Sequence, residues 1–117
     1  MKYMLMVFEN EAQYGDRRPD PEVLKRHMAF QQEIKAHHIG GAGLNGVATA
    51  TTIRTDGGKQ IVHDGPFAET KEQLGGFYLI DVPDLDAAIA IARKLPLLKD
   101  GAVEIRPLLT ADAKPVA

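Results

Sequence analysis

The stretch Tyr3-Met4-Leu5-Met6-Val7-Phe8 decides the fold. One alternation set is Tyr3, Leu5 and Val7, and the other is Met4, Met6 and Phe8. A strand here is apolar on both faces, and such a strand belongs in the middle of a sheet that is covered on both sides. The same reading holds for Gly76-Phe77-Tyr78-Leu79-Ile80-Asp81-Val82, a second strand apolar on both faces.

Two helices are predicted to pack on this pair of strands. Pro19-Asp20-Pro21-Glu22 offers Asp20 as an N-cap and Pro21 at the first helical position. Val23, Leu24, His27, Phe30, Gln31, Ile34 and His38 then recur at spacings of three and four. This helix is expected to stop at Gly40-Gly41, with His37 and His38 in a last turn where the dipole favours cations. In the second helix Asp84 is the cap, Leu85, Ala88, Ile89 and Ala92 form the buried stripe, Arg93 and Lys94 occupy the last turn, and Pro96 prevents continuation. Between the helices, Val47 to Arg54, the turn Asp56-Gly57-Gly58-Lys59 and Gln60 to His63 read as a thin hairpin at an edge. Val103 to Leu108 alternates apolar with charged residues, and Pro107 marks it as an edge strand. The order is β-α-β-β-β-α-β, an α+β chain in the ferredoxin-like split β-α-β arrangement with an extra middle hairpin. Two helices cover one face of such a sheet. The open face needs a partner, and a second copy of the same chain is the simplest one, which predicts a homodimer.

Composition narrows the function classes. The chain has 117 residues, 44 % hydrophobic and 26 % charged, with no cysteine and a net charge of −2. This is one domain, 1–109, followed by a tail, 110–117, expected to be flexible; a compact chain of this length has a radius of gyration of roughly 13 Å. Such a chain has little room for a private pocket, since ligand cavities run to about 300–1,000 Å³. A functional unit of two chains follows. Fourteen Lys and Arg against sixteen Asp and Glu, without a basic stripe, exclude nucleic acid as a partner. The absence of cysteine removes disulfides, Cys-based zinc sites, iron–sulfur clusters and thiol catalysis, and fits a reducing compartment. The opening apolar run ends at Glu9, short of a signal-peptide core, and no run approaches the roughly 20 residues of a membrane span. The expectation is a cytoplasmic protein with no membrane partner.

Gly41-Ala42-Gly43-Leu44-Asn45-Gly46 spells G-x-G-x-x-G, but a helix precedes it and a strand follows, the reverse of a dinucleotide-binding turn. These glycines read as a helix stop and a loop, and no cofactor is expected. The four histidines show no H-x-x-x-H or H-E-x-x-H spacing, so no metal site is expected either. The strongest local feature is His63-Asp64-Gly65-Pro66-Phe67-Ala68-Glu69-Thr70-Lys71-Glu72. One reading is architectural: Asp-Gly-Pro forms a turn, and Phe67 anchors it. The other makes Asp64 a general base, or the carboxylate that orients a histidine. His63 and Asp64 are neighbours on a strand and leave opposite faces, so the histidine must come from elsewhere. His27, in the middle of the helical stripe, faces the sheet; its plain reading is a neutral histidine at the core edge. Glu69, Lys71 and Glu72 are either a solvated charge cluster or part of a binding surface.

The same stretch, continued through Gln73-Leu74-Gly75-Gly76-Phe77-Tyr78-Leu79-Ile80-Asp81-Val82, resembles the YCII-related family, in particular its DGPF branch. Met1-Lys2-Tyr3-Met4-Leu5 and Asp84-Leu85-Asp86-Ala87-Ala88 share the likeness, which covers nearly all of residues 1–108. The resemblance implies ferredoxin-like α+β subunits that pair into a dimeric α+β barrel, in a family whose biochemical function is largely unassigned. It also implies a His and Asp active-site pair, here His27 and Asp64, with His63, Phe67, Glu69 and Lys71 as substrate-binding residues. Two functions stay open. One is a small enzyme using His/Asp acid-base chemistry on a small organic molecule. The other is a non-catalytic small-ligand-binding or regulatory module, linked, as some relatives are, to an extracytoplasmic-function sigma factor system.

Overall fold

A computed structural model describes residues 1–110. Its elements are β1 (Lys2–Glu9), α1 (Pro21–Glu33), β2 (His38–Gly43), β3 (Thr51–Asp56), β4 (Lys59–Asp64), β5 (Gln73–Asp81), α2 (Leu85–Ala92) and β6 (Ala102–Pro107), with short 3₁₀ turns at Glu11–Tyr14 and Val47–Thr49. Four strands form one antiparallel sheet in the order β2-β5-β1-β6. This is an α+β arrangement in ferredoxin-like order. The two doubly apolar strands lie at its centre, and the proline-bearing β6 lies at an edge.

Alternation then divides the sheet into two unlike faces. Tyr3, Leu5 and Val7 of β1 stand beside Ile80, Tyr78 and Gly76 of β5. With Phe30, Ile34, Ala88, Ile91 and Leu95 from the helical segments, these side chains make the core. Leu5 and Ile80 are wholly buried. Met4, Met6, Phe8, Phe77 and Leu79 take the opposite face, remain half-buried, and have no helix over them. Both helices are capped as their sequences predict: the Asp20 carboxylate accepts from Glu22 N at 2.9 Å, and that of Asp84 accepts from Ala87 N at 2.9 Å.

Several expectations are corrected. The first helix ends at Glu33, seven residues before Gly40, and His38 opens β2. Without β2 the outer edge of β5 would have no partner, and the sheet ladder outweighs the helical pattern of His37 and His38. The middle hairpin does not extend the main sheet: β3 and β4 pair only with each other, through a turn in which Gly57 and Gly58 both have positive φ. On α2 the buried stripe is Ala88 and Ile91, while Leu85 is exposed. The radius of gyration is 16.2 Å, larger than the compact expectation. The predicted tail lies, apart from Thr110, outside the described residues. Among the described residues no helix is long and apolar enough to cross a membrane.

Candidate functional site

A cleft of about 580 Å³ opens between α1 and the helix side of the sheet, so a single chain presents an open cleft of ligand size. Helical spacing places Val23, His27 and Gln31 along one wall, and strand alternation places Gly76 and Tyr78 of β5 along the other. Apolar surface from Val7, Val23, Leu24 and Leu44 surrounds two polar groupings.

The first grouping centres on Tyr78. His27 Nδ1 lies 2.6 Å from Tyr78 Oη, and the two rings stack with centroids 5.9 Å apart. Gln31 Nε2 donates to the same oxygen at 3.5 Å, and the His27 tautomer sets which of Nδ1 and Oη donates in their shared hydrogen bond. Burial lowers the His27 pKa from 6.5 and raises that of Tyr78 from 10.0, so both are neutral at pH 7. The His38 ring is tilted against that of Tyr78, with centroids 5.7 Å apart.

The second grouping is a buried acid with its partners. Glu9 continues the inward set Tyr3, Leu5, Val7 and is only 6 % exposed. Tyr14 Oη donates to Glu9 Oε1 at 2.9 Å, and the Arg18 guanidinium lies 4.8 Å above the Tyr14 ring. Arg18 Nη1 stands 3.6 Å from Glu11 Oε1 and 4.0 Å from Glu9 Oε1. Gly75 is what makes room for Glu9, because a Cβ there would meet Glu9 Cδ at 2.9 Å. Among the described residues two buried side-chain nitrogens have no hydrogen-bond partner, Arg18 Nη1 and His38 Nε2, and both residues line this cleft.

Desolvation, followed by the bond to Glu9, raises the Tyr14 pKa from 10.0 to about 12. Its folded value exceeds its unfolded one, so the stability it contributes is complete below pH 10 and is lost as pH rises towards 12. Tyr14→Phe is expected to cost about 1–3 kcal/mol at pH 7, because the Glu9 carboxylate loses its one short donor. It should also flatten the alkaline loss. Urea titrations at pH 7 and pH 11 check both, and an unchanged midpoint at pH 7 would show that Glu9 needs no phenol.

Of the residues expected at the site, His27 lies in the cleft. Asp64 does not line it: it ends β4 opposite Thr51, is exposed, and is not brought to His27 within one chain. His63 pairs with Thr52 on the other face of the hairpin. Phe67 is 69 % exposed, its ring under the Arg54 guanidinium at 4.9 Å. Glu69 and Lys71 share a separate, shallower depression with Pro66, Glu11 and Gln73. Sequence reasoning missed Glu9, Tyr14, Arg18 and Tyr78. For Glu9 and Tyr78 the signal was the strand alternation itself, which points a carboxylate and a phenol inward. Nothing comparable marked Tyr14 or Arg18. Among the described residues no three His, Asp or Glu side chains converge as metal ligands.

Residues 1–112 match the family described as YCII-related domain. Over 114 residues the chain is 40 % identical to an uncharacterized protein of Rhizobium meliloti (strain 1021), an alignment covering 92 % of each chain.

Proposed function

The chain belongs to the YCII-related domain family, and on that premise we propose that it is a small cytoplasmic enzyme moving a proton on a small organic molecule held in the cleft. The observation that carries this is the 2.6 Å contact between His27 Nδ1 and Tyr78 Oη in the cleft wall. In the Nε2–H tautomer of His27, which this reading takes, a ligand proton delivered to Tyr78 Oη releases the phenolic proton to His27 Nδ1. The ligand becomes an anion beside an imidazolium, the phenol stays neutral, and the reverse transfer returns the proton. His27 is thus the acid/base, with Tyr78 in the orienting place that the sequence reading assigned to Asp64. The functional unit is a homodimer in which the open faces of two sheets meet as a dimeric α+β barrel. What supports this is the row Met4, Met6, Phe77 and Leu79, which no helix covers. Asp64, His63, Phe67, Glu69 and Lys71 serve ligand contacts in that assembled pair.

Proton abstraction is read directly as exchange of ligand hydrogen for deuterium. Small carbonyl compounds and organic acids are incubated with the protein in D₂O and followed by NMR. At least one is expected to exchange, and Tyr78→Phe and His27→Gln are each expected to slow that exchange by about 10²–10⁴. In the same samples His27 should titrate below 6.5, since burial disfavours its charged form. Its folded pKa is depressed, so its contribution to stability is complete above pH 6.5 and is lost as pH falls below that value.

One observation favours the second reading, a non-catalytic ligand-binding or regulatory module tied to a sigma-factor system: Asp64 lies outside the cleft. A compound that raises the melting temperature equally in wild type, Tyr78→Phe and His27→Gln, with no exchange in any of them, would select that reading.

A further inference from the structure

We infer that the β3–β4 hairpin is an arm that clasps a second copy of this chain through the face carrying Ile53 and Val62. The inference rests on the homodimer proposed above and adds to it a second contact region. Ile53 and Val62 stand directly opposite each other and are 62 % and 64 % exposed. An isolated two-stranded hairpin is marginal in water, and β-branched pairs stabilise one only when something covers them.

The two faces of the hairpin differ in charge. Thr51, Ile53, Thr55, Gln60, Val62 and Asp64 share one face by register, and it carries a single charge at its base. Thr52, Arg54, Asp56, Lys59, Ile61 and His63 lie on the other, which carries three charges and one exposed apolar side chain. That second face is already engaged within the chain, with Arg54 over the Phe67 ring and Thr52 Oγ1 donating to Gly65 O at 2.7 Å. Three of the four Arg, Lys and Asp charges of the hairpin thus lie on the face already engaged, and the face of Ile53 and Val62 carries only Asp64.

Shape indicates the size of the occupant. The chain measures 42 × 41 × 21 Å, and its radius of gyration of 16.2 Å exceeds the roughly 13 Å of a compact chain of this length. The hairpin pairs with no strand of the main sheet, and its exposed Ile53–Val62 pair suits a folded surface rather than a small ligand. A second copy is the partner that fits, because this chain already exposes an apolar sheet face, and one two-fold pairing covers the face and the arm of both copies together. By strand spacing and rise the open face is roughly 500 Å² in projection, whereas a standard interface takes about 800 Å² of accessible surface from each partner. The arm supplies further area. Docking also carries the Asp64 carboxylate, on the same face as Ile53 and Val62, to the partner.

Sedimentation equilibrium across a dilution series tests this with wild type, the double variant Ile53→Glu/Val62→Glu, the sheet-face variant Met6→Glu and the outer-face control Lys59→Glu. The double variant is expected to weaken the dimer by at least about tenfold, with unchanged circular dichroism, while Lys59→Glu dimerises as wild type does. A second measurement needs no mutation: hydrogen exchange of hairpin amides in wild type should slow as concentration rises through the dissociation constant. A wild type that stays monomeric overturns the homodimer and the arm together. A wild-type dimer that Met6→Glu breaks and the double variant does not, with hairpin exchange fast at every concentration, overturns the arm alone.

Discussion

Gly41→Ala is expected to destabilise the protein by about 3 kcal/mol or more, a large share of the 5–15 kcal/mol that holds a domain together. Gly41 has φ +149°, a conformation that side chains rarely adopt, and the added Cβ would press on the Phe77 carbonyl oxygen and reach Tyr78 Cα at 3.1 Å. These are backbone atoms of β5 and cannot swing aside. Strain and collision therefore add, and the relief is separation of β2 from β5. The carbonyl of Leu44 that Arg18 bonds at 2.5 Å would move with β2, so the cleft should open as stability falls. Urea unfolding gives the first effect, and loss of the depressed His27 titration gives the second. A variant within 1 kcal/mol of wild type would mean that β2 can drift outward freely.

The glycine pair at this point also shows how far the sequence could be read. Gly40-Gly41 after a periodic stretch looks like a helix stop, and local chemistry alone offers no correction. What decides otherwise is a demand from 37 residues away, where the backbone of Tyr78 needs a close neighbour along its outer edge. The central strands were legible because alternation is a local property of β1 and β5. The open face was legible because two helices are too few to cover both sides. For the same reason His27 could be picked from its place in a helical stripe. Asp64 could not be placed, since its distance from His27 depends on the path of a hairpin that leaves the main sheet. Tyr14 and Arg18 come from a polar loop that packs on the Glu9 carboxylate, and in the sequence Glu9 reads only as the point where the apolar run ends.

Leu5→Ala should cost about 3–5 kcal/mol, the upper range for truncating a leucine that the surroundings cannot replace. Leu5 has no exposed surface, and it stands beside Tyr78 on β5 and Ile105 on β6. Both neighbours are held in ladders, so the cavity cannot collapse by moving a single side chain. Thermal unfolding measures the loss. A cost below about 1.5 kcal/mol would imply that the core repacks as though loosely filled.

Strand β5 has two addressees. The Tyr78 side chain belongs to the cleft, while the side chains of Phe77 and Leu79, one residue to either side, take the opposite face that no helix covers. No hinge or linker separates the two roles. On the proposed function, a ligand that draws Tyr78 inward pulls the neighbouring side chains by the same stiff backbone, so occupancy and the proposed pairing would share one lever. Were both to occur, whatever factor pairing added to ligand affinity the ligand would have to return to pairing.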